Sequence, residues 1–589
     1  MSENGGKQGD VLAGLGYARL FQRIYENSII DLPNVTARAI VDDFTIVGPP
    51  LEVFTAYDRF KTAARNAGVR VNVTKTVVQQ PSGEPTATTC WLAAERGLRV
   101  VCGNFEYLGG AVGLDDKAMT TWVGEKLLSQ TPLKKAIVDP DCPSMLALNL
   151  TKVNLLPVPT YLLRAMPFRN CAAPVSALAT QHERALMSRQ GISTPLSPQA
   201  NISLTQPGRN GGLGVRSVEV VAPAAKWAAA AAAAMDVHHF VDENAPLPFV
   251  LDRNHCHSEL IVGGVLSRDS KDPIPDLVVE EQDEKHKPTY FDLPLDPLLI
   301  HVHYGGETRL KQLQRSLTAQ VEDFVLQAFL DGVLCSQVDT IRLQACQKSK
   351  GRWISSCYAY LMRDRHVNIA IRLWLGLDPL PGVHLATCPL CRMDMSNDQW
   401  HAFSCVKLRR KAVTTRHDSV GQLLCRYARS NGALARIEPK DEASLVPDGE
   451  IILPTTTVLF DVSGVHPAAL SYRRSNELRA GASMLTRQTT KNTKYLSYAT
   501  NLNAKFVPFV LDTYGWLSKP ALRLVNEIEN QALHPRLPAS TRITSTNFLP
   551  LLAVDWQRGN ANVVYQWSAM IRAAQLRSAA LLSAARIVM

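Results

Sequence analysis

LVPDGEIILPTTTVLFDVSGV, Leu445 to Val465, is the stretch on which the fold turns. Two strand-like runs flank a turn at Pro454-Thr455. If that turn is a symmetric two-residue one, Asp448 falls directly opposite Asp461. Like charges facing each other across a hairpin are unfavourable unless a cation sits between them. Downstream, TKNTKYLSY, Thr490 to Tyr498, reads as a helix with Lys491, Lys494 and Tyr495 on one face, at i, i+3 and i+4. FVPFVLDTYGWL, Phe506 to Leu517, reads as a core strand and loop closing the same domain. Carboxylates on adjacent strands can hold magnesium, while a lysine orients or activates water and stabilises a pentavalent phosphate. Glu438 is a candidate for an additional acidic ligand. Pro-Asp is also a common turn dipeptide, so the same residues suit an ordinary hairpin.

Upstream, ATCPLCRMDMSNDQWHAFSC carries Cys388, Cys391, His401 and Cys405 with the spacing C-x2-C-x9-H-x3-C. Two thiolates on a tight turn, then a His and a Cys one helical turn apart, can converge on tetrahedral zinc. Four protein ligands leave no open position, so the zinc expected here is structural. LRRKAVTTRH, Leu408 to His417, follows as a basic helix from which Arg409, Arg410, Lys411, Arg416 and His417 could reach phosphates, or which could simply be a solvated face.

Near the start, AIVDDFTIVG, Ala39 to Gly48, places adjacent aspartates between two short strand-forming runs, where a hairpin would turn. Taken alone it suits a bland turn as well as a metal site. Its neighbours are GKQGD, Gly6 to Asp10, opening a helix that Asp10 can cap; NAGVRVNVTKT, Asn66 to Thr76, ending a helix at Gly68 and starting a strand that carries Lys75; and NFEYLGGAVG, Asn104 to Gly113, a second hairpin.

The bulk numbers set the frame. At 589 residues, 46% apolar and 20% charged, the chain has room for several ordinary globular domains. No run of eighteen apolar residues occurs, and the polar N-terminus is no secretory signal, so no membrane partner is expected. Twelve cysteines, scattered apart from the one cluster, favour a reducing compartment. A net charge of +10 permits contact with a polyanion without requiring it. Residues 118–195 read as mainly helical, Ser197 to Gly214 as a loop by composition, and Asp242 to Leu298 as an irregular insertion. His255, Cys256 and His257 alternate in direction along an extended chain and make no single ligand face.

Four early blocks in this order resemble the palm of a reverse transcriptase. GKQGD is similar to the block lining the nucleotide and template site, IVDDF to the aromatic-Ala-Asp-Asp box, with Ile40 and Val41 as departures. GVRVNVTKT is similar to the helix-strand block that follows, and FEYLGG to the primer-grip hairpin. GGLGV (Gly211 to Val215), RLWLGLDPLPG (Arg372 to Gly382), the CCHC cluster and the following RHD resemble the C-terminal region of site-specific non-LTR retrotransposons, with trypanosomatid spliced-leader elements the nearest kind. Asp448, Asp461 and the Lys-x-x-Lys-Tyr run resemble their restriction-like (PD-(D/E)xK) endonuclease, whose lysine also sits on a helix.

The resemblance implies an α+β multidomain chain: a partial palm over 1–115, a helical thumb and following region over 116–242, and a linker or insertion over 243–305. A helical region over 306–383, a CCHC zinc segment over 384–420, a restriction-like endonuclease over 421–552 and a helical tail over 553–589 complete it. It implies an RNA-directed DNA polymerase (a nucleotidyltransferase) that acts in the nucleus by target-primed reverse transcription. Its partners are element RNA, chromosomal target DNA and deoxynucleoside triphosphates. Asp42 and Asp43 would bind catalytic magnesium, Gln8 and Gly9 would line the nucleotide site, and Lys75 would lie near the triphosphate. Asp448, Asp461 and Lys494, or Lys491, would cut DNA. Only nine residues precede Asp10, so the upstream catalytic aspartate is expected outside this N-terminally truncated sequence, leaving the polymerase incomplete. The rival expectation is a catalytically inactive relic that binds nucleic acid through its basic surface and zinc segment.

Overall fold

The structure, a computed structural model, describes residues 11–40, 43–80, 84–107, 109–113, 115–166, 168–238, 307–332, 335–379, 386–396, 398–408, 412–438, 446–531 and 542–588. It is mixed α+β, mostly helical with small sheets. The chain divides into two compact units, Met1–Glu125 and Lys126–Met589, rather than at the expected boundary after 115. The expected insertion, 243–305, lies outside the described residues. Among the described residues no helix is long and apolar enough to cross a membrane.

In the first unit, helix Val11–Ser28 precedes a hairpin of β1 (Thr36–Ile40) and β2 (Asp43–Val47), whose register pairs Ile40 with Asp43. The hairpin expected from AIVDDFTIVG is therefore present. Phe44 anchors it by stacking on Tyr25 and packing against Phe60, with ring centroids 4.4 and 4.6 Å away. Helix Pro50–Asn66 ends where expected, with Gly68 in the left-handed region at φ +82°. Strands β3 (Val77–Gln80) and β4 (Arg99–Cys102) then pair in parallel through helix Ala87–Glu95. Phe54, Tyr57, Leu92 and Leu98 form the core beneath them. Lys75 does not lie on a strand. The Asn72 side chain accepts from the Lys75 backbone N–H and from the Thr74 hydroxyl, which winds 72–76 into a turn before β3 begins. A short hairpin of β5 (Phe105–Tyr107) and β6 (Gly110–Val112) follows, as NFEYLGGAVG suggested.

The second unit opens with a run of helices from Thr131 to His238 and resumes with Glu307–Leu330, Gln337–Ser349 and Asp364–Leu375. The stretch expected to be a loop, Ser197 to Gly214, contains helix Pro198–Thr205. The Ser197 hydroxyl accepts from Ala200 N–H, and Pro198 supplies a preset φ in the first turn. Gly211, at φ +81°, lies against the backbone of Cys346 and Gln347, where a Cβ has no room. Its carbonyl accepts from the indole N–H of buried Trp374 at 2.6 Å. The GGLGV and RLWLGLDPLPG blocks thus meet in space.

A four-stranded sheet ordered β10-β9-β8-β7 forms the α/β portion, from β7 (Leu434–Ile437), β8 (Gly449–Ile452), β9 (Thr457–Val465) and β10 (Ala504–Asp512). β10 runs parallel to β9, and the other neighbours are antiparallel. Alternation along β9 sends Val458, Phe460 and Val462 to one face, against helices Ala412–Ser430, Lys519–Asn530 and Ser545–Val588. Leu459 faces the other way and packs with Tyr495, Ala499 and Phe506 under helix Ala482–Asn501. The helices Ala412–Ser430 and Ser545–Val588 run unbroken through the boundaries expected at 420 and 552.

Candidate functional site

The β8–β9 register decides the geometry. Gly449 pairs with Phe460 and Ile452 with Thr457, and Leu453 N–H closes the turn on Thr456 C=O. One step beyond Gly449, the same register sets Asp448 opposite Asp461, as the symmetric turn predicted. Asp461 shares the Leu459 face, so it looks toward helix Ala482–Asn501, and Lys491 Nζ meets Asp461 Oδ1 at 2.5 Å. Lys494 makes a different contact, donating to the Tyr495 hydroxyl at 2.7 Å. Between the two candidate lysines, the structure puts Lys491 on the carboxylate.

A residue expected as a phosphate contact or a solvated position completes the group. His417 Nε2 lies 2.8 Å from Asp448 Oδ2, and its Nδ1 lies 3.1 Å from Asp418 Oδ1. Asp448 Oδ2 also accepts from Val462 N–H at 2.6 Å, which ties its carboxylate to β9. His417, Asp448 and Asp461 could together hold a metal ion, with one ligand atom from each within 4.8 Å of the others. Glu438 is exposed at the end of β7 and is not part of this group.

Burial first, then the neighbouring Asp448 charge, push the Asp461 carboxyl above its ordinary range, against the pull of Lys491. Burial depresses the His417 imidazole, but Asp448, with Asp418 and Asp461, outweighs it and raises it to about 9. Burial and the Asp461 charge lift the Tyr495 phenol to about 12. Without a metal, the imidazolium of His417 and the ammonium of Lys491 offset the two carboxylates.

The cysteine cluster closes as its spacing predicted. Cys388 and Cys391 sit on a tight turn in which Arg392 N–H bonds Cys388 C=O and Cys388 N–H bonds Met393 C=O. Cys388 Sγ lies 4.0 Å from Cys405 Sγ, and Cys391 Sγ 3.1 Å from His401 Nε2. These four residues could hold a metal ion such as zinc. The donor set fits, with three sulfurs and one nitrogen, mostly buried. Asp398, which the sequence reasoning missed, sits 3.2 Å from His401 Nδ1 and accepts from the Ser404 hydroxyl. It leaves Nε2 to face the thiols. Asp398, followed by Cys405, raises the His401 imidazole to about 11.

No protein-family model matches the chain, and no curated protein matches it. The two groups lie on one piece of structure. Arg416, expected to reach phosphates, is buried: it stacks on Trp556 with its guanidinium 4.3 Å from the ring, and donates to Asn560 at 2.6 Å. Its other ring neighbour is Phe403, two residues after His401 and two before Cys405. Residues 409–411 lie outside the described residues.

The polymerase-like residues are placed less completely. Gln8, Gly9 and Asp42 lie outside the described residues. Asp43 is exposed at the first position of β2, and Lys75 is exposed in its turn. Asp43 belongs to no metal-holding group among the described residues.

Proposed function

We propose that this chain nicks DNA by metal-dependent phosphodiester hydrolysis at Asp448, Asp461 and Lys491. In this reading it is part of a non-LTR retrotransposon protein that copies element RNA from the released 3′ end. The observation that carries it is the meeting of Asp448 and Asp461 across the β8–β9 hairpin, with Lys491 on Asp461. Opposed carboxylates beside a lysine suit phosphate chemistry far better than they suit a structural role.

A magnesium-class ion held by Asp448 and Asp461 would neutralise charge on the scissile phosphate and make a water molecule a better nucleophile. Lys491 orients that water and stabilises the added negative charge on the phosphoryl oxygens. Water adds to phosphorus, the bond to the 3′ oxygen breaks, and the products are a 5′ phosphate and a 3′ hydroxyl. Tyr495 and Lys494 hold the lysine-bearing helix in register, since the Tyr495 hydroxyl also reaches Val446 C=O beside the hairpin. Loaded with zinc, the CCHC group would tie Cys388, Cys391, His401 and Cys405 together ahead of helix Ala412–Ser430. The reverse-transcriptase half of the proposal rests on the resemblance of the early sequence blocks, and takes Asp42 and Asp43 as the magnesium ligands.

The test is nicking of supercoiled plasmid, and of duplex carrying the element's insertion site, by the full chain with magnesium or manganese. Nicking that disappears in Asp461→Ala and Lys491→Ala supports the proposal. Salt-sensitive DNA binding with no metal-dependent cleavage would replace it with the inactive nucleic-acid-binding relic. Primer extension on an RNA template, compared with Asp42→Ala, tests the polymerase half separately.

A further inference from the structure

We propose that His417 is a third protein ligand of the cation held by Asp448 and Asp461, and that its nitrogen makes this centre prefer a divalent transition ion over magnesium. This rests on the metal-dependent reading of that centre given above, and extends it to which ion the centre selects.

The donors come from three separate elements: a helix, the segment entering β8, and the middle of β9. Their convergence is therefore a product of the fold rather than of a short motif. An ion bound at about 2.0–2.3 Å by each donor needs donors within about 4.6 Å of one another. The His417, Asp448 and Asp461 ligand atoms already lie within 4.8 Å, so small side-chain rotations close the site.

Orientation is the second argument. His417 Nδ1 faces Asp418 Oδ1 at 3.1 Å, which holds a proton on Nδ1 and aims Nε2 at Asp448, so that a cation displacing the Nε2 proton meets its lone pair beside Asp448 and Asp461. A carboxylate behind the imidazole is the usual second layer of a metal-bound histidine. The cysteine cluster has the same construction, with Asp398 behind His401 and Nε2 facing the thiols. The backbone beside His417 is held firmly, because Arg416 is clamped between Trp556 and Asn560. The His417 and Asp448 side chains remain 31% and 23% exposed, which leaves a side open for water and a phosphate oxygen.

The chemical consequence follows from the donor set. Two carboxylates and water suit magnesium; exchanging one oxygen donor for imidazole shifts preference toward manganese, cobalt and their neighbours.

The experiment uses the full chain with its cysteine cluster saturated with zinc, checked by metal content, and Mn2+ as the probe. Pulsed electron paramagnetic resonance of bound Mn2+ is expected to show coupling to a histidine nitrogen, which changes pattern when the protein carries 15N-histidine. His417→Ala is expected to abolish the coupling and to weaken Mn2+ binding about tenfold or more, with a smaller change for Mg2+. Asp418→Asn is expected to keep the coupling and weaken Mn2+ about tenfold. The isotope-labelled native chain gives the answer even if His417→Ala fails to fold. Mn2+ that binds without nitrogen coupling, coupling that survives in a folded His417→Ala, or no Mn2+ binding sensitive to Asp461→Asn would each overturn the proposal. Nicking without nitrogen coupling would overturn this inference and spare the nuclease reading; nitrogen coupling without nicking would do the reverse.

Discussion

Asp512 ends β10 fully buried, and its carboxylate makes it the best place to test the energetics of the α/β portion. One oxygen accepts from the Tyr514 and Trp516 N–H groups, both at 2.9 Å, while the other has no hydrogen-bond partner. Burial pushes the carboxyl up to about 8 from its ordinary 3.8, against the pull of those N–H groups. Between roughly pH 4 and 8 the folded chain then holds a proton that the unfolded chain has released. Stability contributed here is full below the unfolded value and falls as pH rises, by on the order of 5 kcal/mol across the window. Asp512→Asn cannot ionise, so it escapes that decline. Its amide keeps an oxygen for the two N–H groups and buries an unpaired N–H2, at a cost of about 1–3 kcal/mol that does not vary with pH. The readout is therefore a slope. Melting temperatures of the two chains, compared by calorimetry from pH 5 to 8.5, should diverge in favour of the variant, by on the order of 5 °C at the upper end. Groups that titrate in both chains cancel in the comparison. Parallel curves would refute the reasoning, and would mean that the turn N–H groups keep Asp512 ionised throughout.

The other predictions concern the two candidate metal groups and the β8–β9 hairpin. Lys491→Ala should lower nicking about a hundredfold or more, because its ammonium touches Asp461, while Lys494→Ala should cost about tenfold or less; equal losses in single-turnover rates would count against this assignment. Chelation, or Cys388→Ser, should take bound zinc from one ion per chain to none and destabilise the unit by several kcal/mol, read as metal content and melting temperature; an unchanged melting temperature would show that the ion does not support the fold. Gly449→Ala should destabilise by about 1–3 kcal/mol in denaturant titrations, since a Cβ there collides with the buried Phe460 ring, and it should also reduce nicking by shifting Asp448 from Asp461. A stable, fully active Gly449→Ala chain would contradict the register.

How much of this was legible in the sequence depended on the range of the signal. The facing of Asp448 and Asp461 follows from a symmetric turn and a period of two, both local properties, and both survived. The CCHC spacing is equally local. Which lysine meets Asp461 was not legible, because the phase of helix Ala482–Asn501 against β9 is set by Tyr495, Ala499 and Phe506 packing with Leu459. The helix Pro198–Thr205 was hidden by a composition of Pro, Asn and Gly, although Ser197-Pro198 is a recognisable start signal. Lys75 was read as a strand residue because Val69, Val71 and Val73 alternate, and the Asn72 side chain overrode that pattern.

His417 and Arg416 show why the basic helix misled. Both were expected to reach phosphates or to lie on a solvated face, yet adjacent residues on a helix point about 100° apart, so the two take different roles. Arg416 turns inward onto Trp556, a residue far along the chain whose arrival no local pattern announces. His417 turns outward onto Asp448, and the residue beside it, Asp418, accepts from its Nδ1. The only sequence signal was the His-Asp pair itself, a histidine with its orienting carboxylate already attached. Its counterpart in the cysteine cluster, Asp398 with His401, is three residues apart on a short helical turn. One helix thus carries Arg416, which neighbours Phe403 of the cysteine segment, and the imidazole of the acidic centre on successive residues. Distortion of the cysteine segment should reach the acidic centre through Phe403 and Arg416, without any change in the carboxylates themselves.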